Sequence, residues 1–242
     1  MNGGKLNIRF ASIIDFDEEA YPLKRSTIIY LSGCPLNCPY CNEAPLVNPV
    51  SFGEKPVEYF IDHLKSVSEA TEALVLTGGE PLMQANALSG LCESAKSLGF
   101  SVKIETSGYY AEALNQLLPF VDYVSMDVKN ELVPEKYARS CGFPNAEVLL
   151  SNVLRSLTYL EKRGQGVFKE FSLTVVPGLN DSPEVVKSLT RYLSPYCDRF
   201  VLRPYSPTGE LLTNDYPDAP SKEKMRELEI YAKRYVKSVV VE

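Results

Sequence analysis

The chain has 242 residues, of which 45% are hydrophobic, and its formal net charge at pH 7 is -6. This length and composition support one large buried core, so a single domain over residues 1–242 is expected. The acidic balance argues against nucleic acid as a partner, because surfaces that bind phosphates are usually basic. The sequence has no secretory signal and no apolar run of membrane length. A cytoplasmic location is therefore expected, without a membrane partner.

Short apolar runs alternate with longer amphipathic stretches along the chain, which is the pattern of repeated βαβ units. The apolar runs predict near-continuously apolar, buried parallel strands over residues 27–31, 73–76, 101–105, 123–125, 171–176 and 200–202. The amphipathic stretches predict helices over residues 57–66, 85–98, 111–118, 146–163, 183–193 and 222–235. Residues 239–241 are a candidate edge strand, and residues 8–21 fit an opening strand and a lid equally well.

Right-handed crossovers between such units produce a parallel sheet. The predicted fold class is therefore α/β, a partial (β/α)6 barrel of parallel strands, with a core over about residues 26–212 and additions at both ends. In parallel α/β folds the chemistry lies in loops at the carboxyl ends of the strands. Every motif described below follows a predicted strand and is expected at that edge of the barrel.

The first of these loops holds three of the six cysteines, Cys34, Cys38 and Cys41. Thiolates are soft ligands that hold iron-sulfur clusters or zinc. A structural zinc site closes with four ligands, whereas three thiolates on a four-iron cluster leave one iron open to bind a substrate or cofactor. The sequence favours the cluster, and a zinc knuckle is the structural alternative.

The remaining cysteines and the single histidine lie in or beside predicted helices and have no partner at metal-ligand spacing: they are Cys92, Cys141, Cys197 and His63. Free cysteine commonly packs as a small hydrophobic residue. All four are therefore interpreted as core or surface residues.

Glycines and charged residues follow the later strands. Gly78 and Gly79 allow the backbone to approach a ligand, and the Glu80 carboxylate is expected to accept a hydrogen bond from a cationic amine. Asp127 and Lys129 lie two residues apart on an extended strand, so both are expected to point into the barrel. These loops therefore predict a polar ligand site beside the cysteines.

The cysteine spacing, CxxxCxxC with the aromatic Tyr40 before the last cysteine, resembles the signature of the radical S-adenosylmethionine (SAM) superfamily. The resemblance implies a barrel of the radical SAM type and a 4Fe-4S cluster held by Cys34, Cys38 and Cys41. It also implies that the amine and carboxylate of SAM chelate the open iron, and that reductive cleavage yields a 5'-deoxyadenosyl radical. The chain is then expected to be a metal-binding oxidoreductase.

The later motifs match the family in its own order, and the resemblance assigns their contacts. The GGEP-like motif contacts the methionyl amine, the Glu-Thr-Ser-Gly segment reaches the carboxylate and ribose, the Asp-x-Lys pair contacts the cofactor, and the fifth strand meets the adenine. The cofactor-binding residues so implied are Tyr40, Gly78, Gly79, Glu80, Pro81, Thr106, Ser107, Asp127, Lys129, Thr174 and Ser206. Two positions depart from the pattern: Ser172 stands where an arginine is frequent, and Ser206 where some members carry a histidine.

Within the superfamily the chain is most similar to the activating proteins of anaerobic ribonucleotide reductase and pyruvate formate-lyase. This resemblance implies removal of a hydrogen atom from a glycine of a partner glycyl-radical enzyme under anaerobic conditions. It also implies an electron donor such as flavodoxin or ferredoxin. Residues 203–218, rich in proline and tyrosine, are a candidate docking loop for the partner.

Two alternatives stand beside this reading. The first is 7-carboxy-7-deazaguanine synthase, a small radical enzyme that rearranges a pterin and has similar motifs. Against it, the sequence lacks a QGEG-like stretch before Cys34 and has Asn42 where aspartate is usual. The second alternative is a non-catalytic module that only holds zinc or a cluster.

Overall fold

The computed structural model describes residues 6–48 and 52–242. Residues 1–5 and 49–51 of the expected single domain lie outside the described residues. The strands are β1 (Asn7–Asp17), β2 (Ser26–Leu31), β3 (Glu54–Pro56), β4 (Ala73–Gly78), β5 (Ser101–Thr106), β6 (Tyr123–Asp127), β7 (Phe168–Val175), β8 (Arg199–Pro204) and β9 (Val239–Val241).

The helices are α1 (Ala44–Val47), α2 (Val57–Val67), α3 (Ala85–Ser97), α4 (Ala111–Leu117), α5 (Pro134–Cys141), α6 (Ala146–Arg163), α7 (Pro183–Leu193) and α8 (Lys222–Ala232). Short 3₁₀ turns cover Pro81–Gln84 and Leu118–Phe120. The Ser182 side chain caps α7 by accepting from the backbone N–H of Val185 at 3.4 Å, with proline at the first helical position. In the described part of the chain, no helix has both the length and the apolarity needed to cross a membrane.

All described strands join one sheet in the order β3-β1-β2-β4-β5-β6-β7-β8-β9. The pairs from β2 to β9 are parallel, whereas β1 runs antiparallel to both β2 and β3. The α/β class with a mainly parallel sheet is thereby confirmed, and the sheet is consistent with a partial barrel. The predicted edge strand at residues 239–241 is β9, which pairs with β8.

The two faces of the parallel sheet differ in chemistry. One face is apolar and joins the helices in the core; it includes Leu76, Ile104, Val124 and Phe171, all fully buried. The opposite face of the same strands carries polar residues that bond to one another across the sheet. The prediction of near-continuously apolar strands is therefore wrong for this face, because alternate residues of a strand point to opposite sides.

A buried polar network occupies that second face. Glu170 on β7 accepts hydrogen bonds from Tyr123 at 2.5 Å and from Ser125 at 2.8 Å. Lys103 forms a 2.7 Å ion pair with Glu105. Burial of these charges is tolerated because each has an opposite charge or hydrogen-bond partner.

Several elements were absent from the sequence-based assignment. Residues 8–21, which fit a strand and a lid equally well by sequence, lie mostly in the eleven-residue strand β1, which pairs with β2 as a hairpin. The short elements β3 and α1 and the helix α5 were not predicted. Of these, α5 bears on the site, because its carboxyl end contacts the cysteine loop.

Candidate active site

A cavity of about 580 Å³ lies at the carboxyl ends of the parallel strands. It is lined by residues from the ends of β2, β4, β5, β6, β7 and β8 and from loops that follow these strands, where parallel α/β folds place a site. Of the residues predicted for the site, those that line it are Cys34, Cys38, Tyr40, Cys41, Gly78, Gly79, Thr106, Ser107, Asp127, Lys129, Thr174 and Ser206. Glu80 and Pro81 are not among its lining residues.

The cysteine loop follows β2, and its second residue is Gly33, whose φ of +99° favours glycine. Backbone hydrogen bonds fix both ends of this loop: Gly33 N–H donates to Leu46 O at 2.7 Å, and Cys41 N–H donates to Cys38 O at 3.0 Å. Cys38 is buried, and Cys34 and Cys41 are half-buried. The three thiols are thus presented to one cavity on a braced loop.

The three thiols have different electrostatic surroundings. Burial raises the pKa of the Cys34 thiol to about 12 and also raises the pKa of Cys41. The pKa of Cys38 is lowered to about 7, chiefly by a hydrogen bond with the Cys141 thiol and against the effect of burial. Cys38 therefore loses its proton more readily than Cys34 and Cys41, and the resulting thiolate is the form of cysteine that binds metal.

The donor set fits a four-iron cluster. Within the described ranges, no three His, Cys, Asp or Glu side chains converge closely enough to hold a single ion. A four-iron cluster needs no such convergence, because each cysteine binds a different iron atom. Three soft thiolates around one cavity also leave the fourth iron accessible to a ligand.

Tyr40 and Tyr205 form the aromatic part of the cavity wall. Their rings pack edge to face at 6.4 Å, and the Lys129 ammonium lies 5.9 Å from the Tyr40 ring centroid. Tyr205 is 3% exposed, and its hydroxyl has no hydrogen-bond partner among the described residues. A buried unpaired hydroxyl in a cavity wall is suited to bond a ligand.

The glycine pair at the end of β4, Gly78 and Gly79, packs directly on the cysteine loop. Gly78 has a φ of +112°, and the Gly79 N–H donates to Leu31 O at 2.9 Å. A Cβ at Gly79 would clash with Gly33 O. Glycine is therefore required here to bring the two loops together beside the thiols.

The Glu80 carboxylate is fully buried and bonds within the protein. It accepts from Thr106 Oγ1 at 2.7 Å, from Leu82 N at 3.1 Å, and from both the backbone N–H and the hydroxyl of Ser107. Burial raises the pKa of this carboxyl despite these bonds. The expected acceptor for a cationic amine is thus directed away from the cavity, where it fixes the Thr106–Ser107 loop; Pro81 begins the 3₁₀ turn behind it.

Asp127 and Lys129 both face the cavity, as their spacing predicts. Their ion pair is 3.3 Å long. Burial would raise the pKa of Asp127, but the charges of Lys129 and Arg203 outweigh it and lower the pKa. The same carboxylate raises the pKa of Lys129, together with Tyr40 and against burial. Both groups are therefore charged at neutral pH.

The end of β7 is held by Asn180, whose side chain is 1% exposed. Its Oδ1 accepts from Val176 N at 2.7 Å, and its Nδ2 donates to the carbonyls of Lys129 and Thr174, each at 2.9 Å. This one amide thus ties the β6 and β7 ends of the cavity wall together. Ser206, in the loop after β8, is hydrogen-bonded to Thr208 at 2.9 Å.

The segment over residues 203–218 also covers the cysteine loop. Leu212 N–H donates to Cys41 O at 3.2 Å, Ala44 N–H to Glu210 O at 3.1 Å, and Thr213 Oγ1 to Pro39 O at 3.0 Å. The segment proposed as a docking loop is therefore bonded to the site itself.

Sequence reasoning missed several cavity residues, above all the cation Arg203 on β8. Its guanidinium lies 3.5 Å from Asp127 and 2.9 Å from Glu242. The alternation of polar and apolar residues in β8 was the available signal, since it places Arg203 on the polar face. Other missed lining residues are Tyr30, Glu43, Glu105, Tyr205 and Glu242.

Of the remaining cysteines and the histidine, Cys92 is fully buried in the core and Cys197 is half-buried beside it. His63 pairs with Asp15 at 3.1 Å, away from the cavity. Cys141 differs from these, because its carbonyl accepts from Asn37 N–H in the cysteine loop at 2.9 Å and its thiol lowers the pKa of Cys38.

The family model of the radical SAM superfamily matches residues 28–189 of this chain. A protein of Methanocaldococcus jannaschii named as a glycyl-radical enzyme activating enzyme is 30% identical over 237 residues, 96% of this chain and 94% of that protein. A 7-carboxy-7-deazaguanine synthase of Thermococcus kodakarensis is 31% identical over 127 residues, 45% of this chain and 50% of that enzyme.

Among solved structures, a radical SAM methyltransferase from Sphaerobacter thermophilus superposes with a TM-score of 0.69. The match covers 92% of this chain and 67% of that one, at 19% identity. At this identity the likeness is one of fold.

Proposed function

Because this chain belongs to the radical SAM superfamily, an enzyme family that uses a 4Fe-4S cluster and SAM, we propose that it activates a glycyl-radical enzyme by removing a hydrogen atom from one of its glycines. The observation that carries the proposal is the length of the match to a relative named as such an activating enzyme, nearly end to end in both chains. We further propose that residues 1–242 are one radical SAM domain.

In this proposal Cys34, Cys38 and Cys41 hold the cluster and leave one iron open to the cavity. When bound and reduced, the cluster supplies the electron that splits SAM into methionine and a 5'-deoxyadenosyl radical. The protein's own task is to orient SAM and to exclude water. The electron comes from a small donor protein of the flavodoxin or ferredoxin class.

Several cavity residues are suited to bind SAM. The backbone at Gly78 and Gly79 offers carbonyls to the methionyl amine, and Thr106 and Ser107 offer hydroxyls to the ribose. Lys129 and Arg203 carry the positive charge that a methionyl carboxylate needs. The Thr174 backbone and Ser206 border the adenine end.

The cavity charge favours a peptide over an anionic small molecule. Among the described residues that line it, carboxylates number four and cations two. Both cations contact Asp127, Lys129 at 3.3 Å and Arg203 at 3.5 Å, and both are assigned above to the methionyl carboxylate of SAM, so neither is left for an anionic substrate. A peptide glycine brings backbone N–H groups, for which Glu43 is an acceptor, since Glu105 is paired with Lys103 and Glu242 with Arg203.

The second candidate is a 7-carboxy-7-deazaguanine synthase, favoured by the partial match to one. As its name states, the product of that enzyme carries a carboxylate. A product carboxylate beside Glu43, with both cavity cations already paired with Asp127, is electrostatically unfavourable. This candidate therefore ranks below the activating enzyme.

The test uses the anaerobically reconstituted protein, reduced in the presence of SAM and a glycyl-radical enzyme such as anaerobic ribonucleotide reductase or pyruvate formate-lyase. We expect a glycyl signal by electron paramagnetic resonance, and no signal with Cys34→Ala, Cys38→Ala or Cys41→Ala. Cleavage of SAM without a glycyl signal, together with turnover of a pterin, would instead support the synthase.

A further inference from the structure

The carboxyl end of α5 is packed flush against the cysteine loop. Asn37 N–H donates to Cys141 O at 2.9 Å. The next residue, Gly142, has a φ of +56°, and a Cβ there would clash with Asn37 O. The last turn of α5 and the cysteine loop are therefore fixed against each other through backbone atoms, with no side chain between them.

This contact places a fourth thiol beside a cluster ligand. Cys141 is fully buried and Cys38 is 7% exposed, and the bond from Asn37 places Cys141 against the loop directly beside Cys38, whose pKa the Cys141 thiol lowers. One turn earlier on α5, Tyr137 is also fully buried, with a hydroxyl that has no partner in the described residues. The two sulfurs are thus shielded from solvent. A hydrogen bond in such a shielded place has a larger electrostatic effect than in water.

From this geometry, and resting on the cluster assignment made above, we propose that Cys141 is a positioning residue for the cluster. Its S–H donates a hydrogen bond to the Cys38 sulfur when that sulfur binds iron, and the bond raises the reduction potential of the cluster. A thiol is a donor and a metal-bound thiolate is an acceptor. Hydrogen bonds to the sulfurs are among the factors that set cluster potentials, because they stabilise the more negative reduced state.

If Cys141 served only to fill space in the core, its replacement would have a different effect on the cluster potential. Cys92 on α3 is also fully buried and belongs to the same core, but it is not hydrogen-bonded to a cluster ligand. If burial were the only function of Cys141, alanine at either position would leave the cluster potential unchanged.

The experiment compares reconstituted wild type with Cys141→Ala, Cys141→Ser and the control Cys92→Ala. The reduced fraction of the cluster is followed by electron paramagnetic resonance during a potentiometric titration, without SAM or a partner enzyme. At a fixed potential we expect Cys141→Ala to lower the ratio of reduced to oxidised cluster by roughly tenfold, which for one electron is about 59 mV. Cys141→Ser keeps a donor and should remain within about threefold of wild type, as should Cys92→Ala.

A wild-type potential in a fully loaded Cys141→Ala protein would overturn the proposal. If Cys141→Ala loads too little cluster to titrate, Cys141→Ser decides, because a tenfold fall despite the retained hydroxyl would equally overturn it. A protein that never yields a glycyl radical leaves this measurement unaffected, so failure of the proposed function is distinguishable from failure here.

Discussion

Arg203 on β8 donates a 3.2 Å hydrogen bond to the hydroxyl of Ser172 on the neighbouring strand β7. The register places Arg203 opposite Thr174, two residues beyond Ser172. The guanidinium therefore reaches the position where the activating enzymes that this chain resembles often carry an arginine. The positive charge comes from a different strand, and a serine makes room for it.

Replacement of Arg203 should weaken SAM binding. We expect Arg203→Ser to raise the dissociation constant of SAM roughly tenfold or more, because a hydrogen bond to a charged group contributes about 1.5–3 kcal/mol. The measurement is equilibrium binding of SAM to the reconstituted protein. The double variant Ser172→Arg/Arg203→Ser should recover part of the affinity; equal affinities in all three proteins would contradict the role.

A methyl group at Gly79 should separate the glycine loop from the cysteine loop. Gly79→Ala places its Cβ against Gly33 O, a backbone atom that cannot rotate away. We expect a lower melting temperature and less iron bound per chain after reconstitution. The control is Gly90→Ala in α3, where a Cβ meets nothing within 4 Å and removal of a helical glycine should stabilise the protein by up to about 1 kcal/mol.

The sequence predicted the elements well wherever one face of a segment is apolar. Helices α6 and α7 and strand β9 have the bounds expected from periodicity. Helix α5 was missed although Pro134 at its start and Gly142 in the left-handed conformation after its end are ordinary boundary signals. Its exposed, charged first turns hid the apolar face that contacts the cysteine loop.

The loops of the site were predictable, but their pairings were not. Spacing placed Asp127 and Lys129 on one face of a strand, and the structure has both in the cavity. The bond between Arg203 and Ser172 depends on strand order and register, which local patterns do not contain. The burial of Glu80 depends on the fold of a loop 27 residues further along the chain.

The Asp127 carboxylate should make stability depend on pH. Its folded-state pKa is lowered, so its contribution is present above the unfolded value near 4 and is lost as pH falls through the lowered value. Asp127→Asn should therefore be less stable than wild type at pH 7, and the difference should shrink below about pH 4. Urea denaturation at a series of pH values tests this, and a difference independent of pH would refute it.

Loss of the Asn180 side chain should lower both the stability of the protein and its affinity for SAM. Its amide bonds to Val176 N, Lys129 O and Thr174 O, and a buried polar group left without a partner costs about 1–3 kcal/mol. Asn180→Ala should thus lower the free energy of unfolding by about 3 kcal/mol or more.

The same change should weaken SAM binding, because Lys129 and Thr174 both line the cavity and lose their common tether. The control is Asn115→Ala on α4, which removes a surface bond to Arg163 of 2.9 Å and should change stability by less than about 0.5 kcal/mol. Denaturant unfolding and SAM binding are measured on both variants. The amide bonds to the two wall segments through their backbone groups. An Asn180→Ala protein that is destabilised but binds SAM normally would therefore mean that β6 and β7 keep their relative position without this amide.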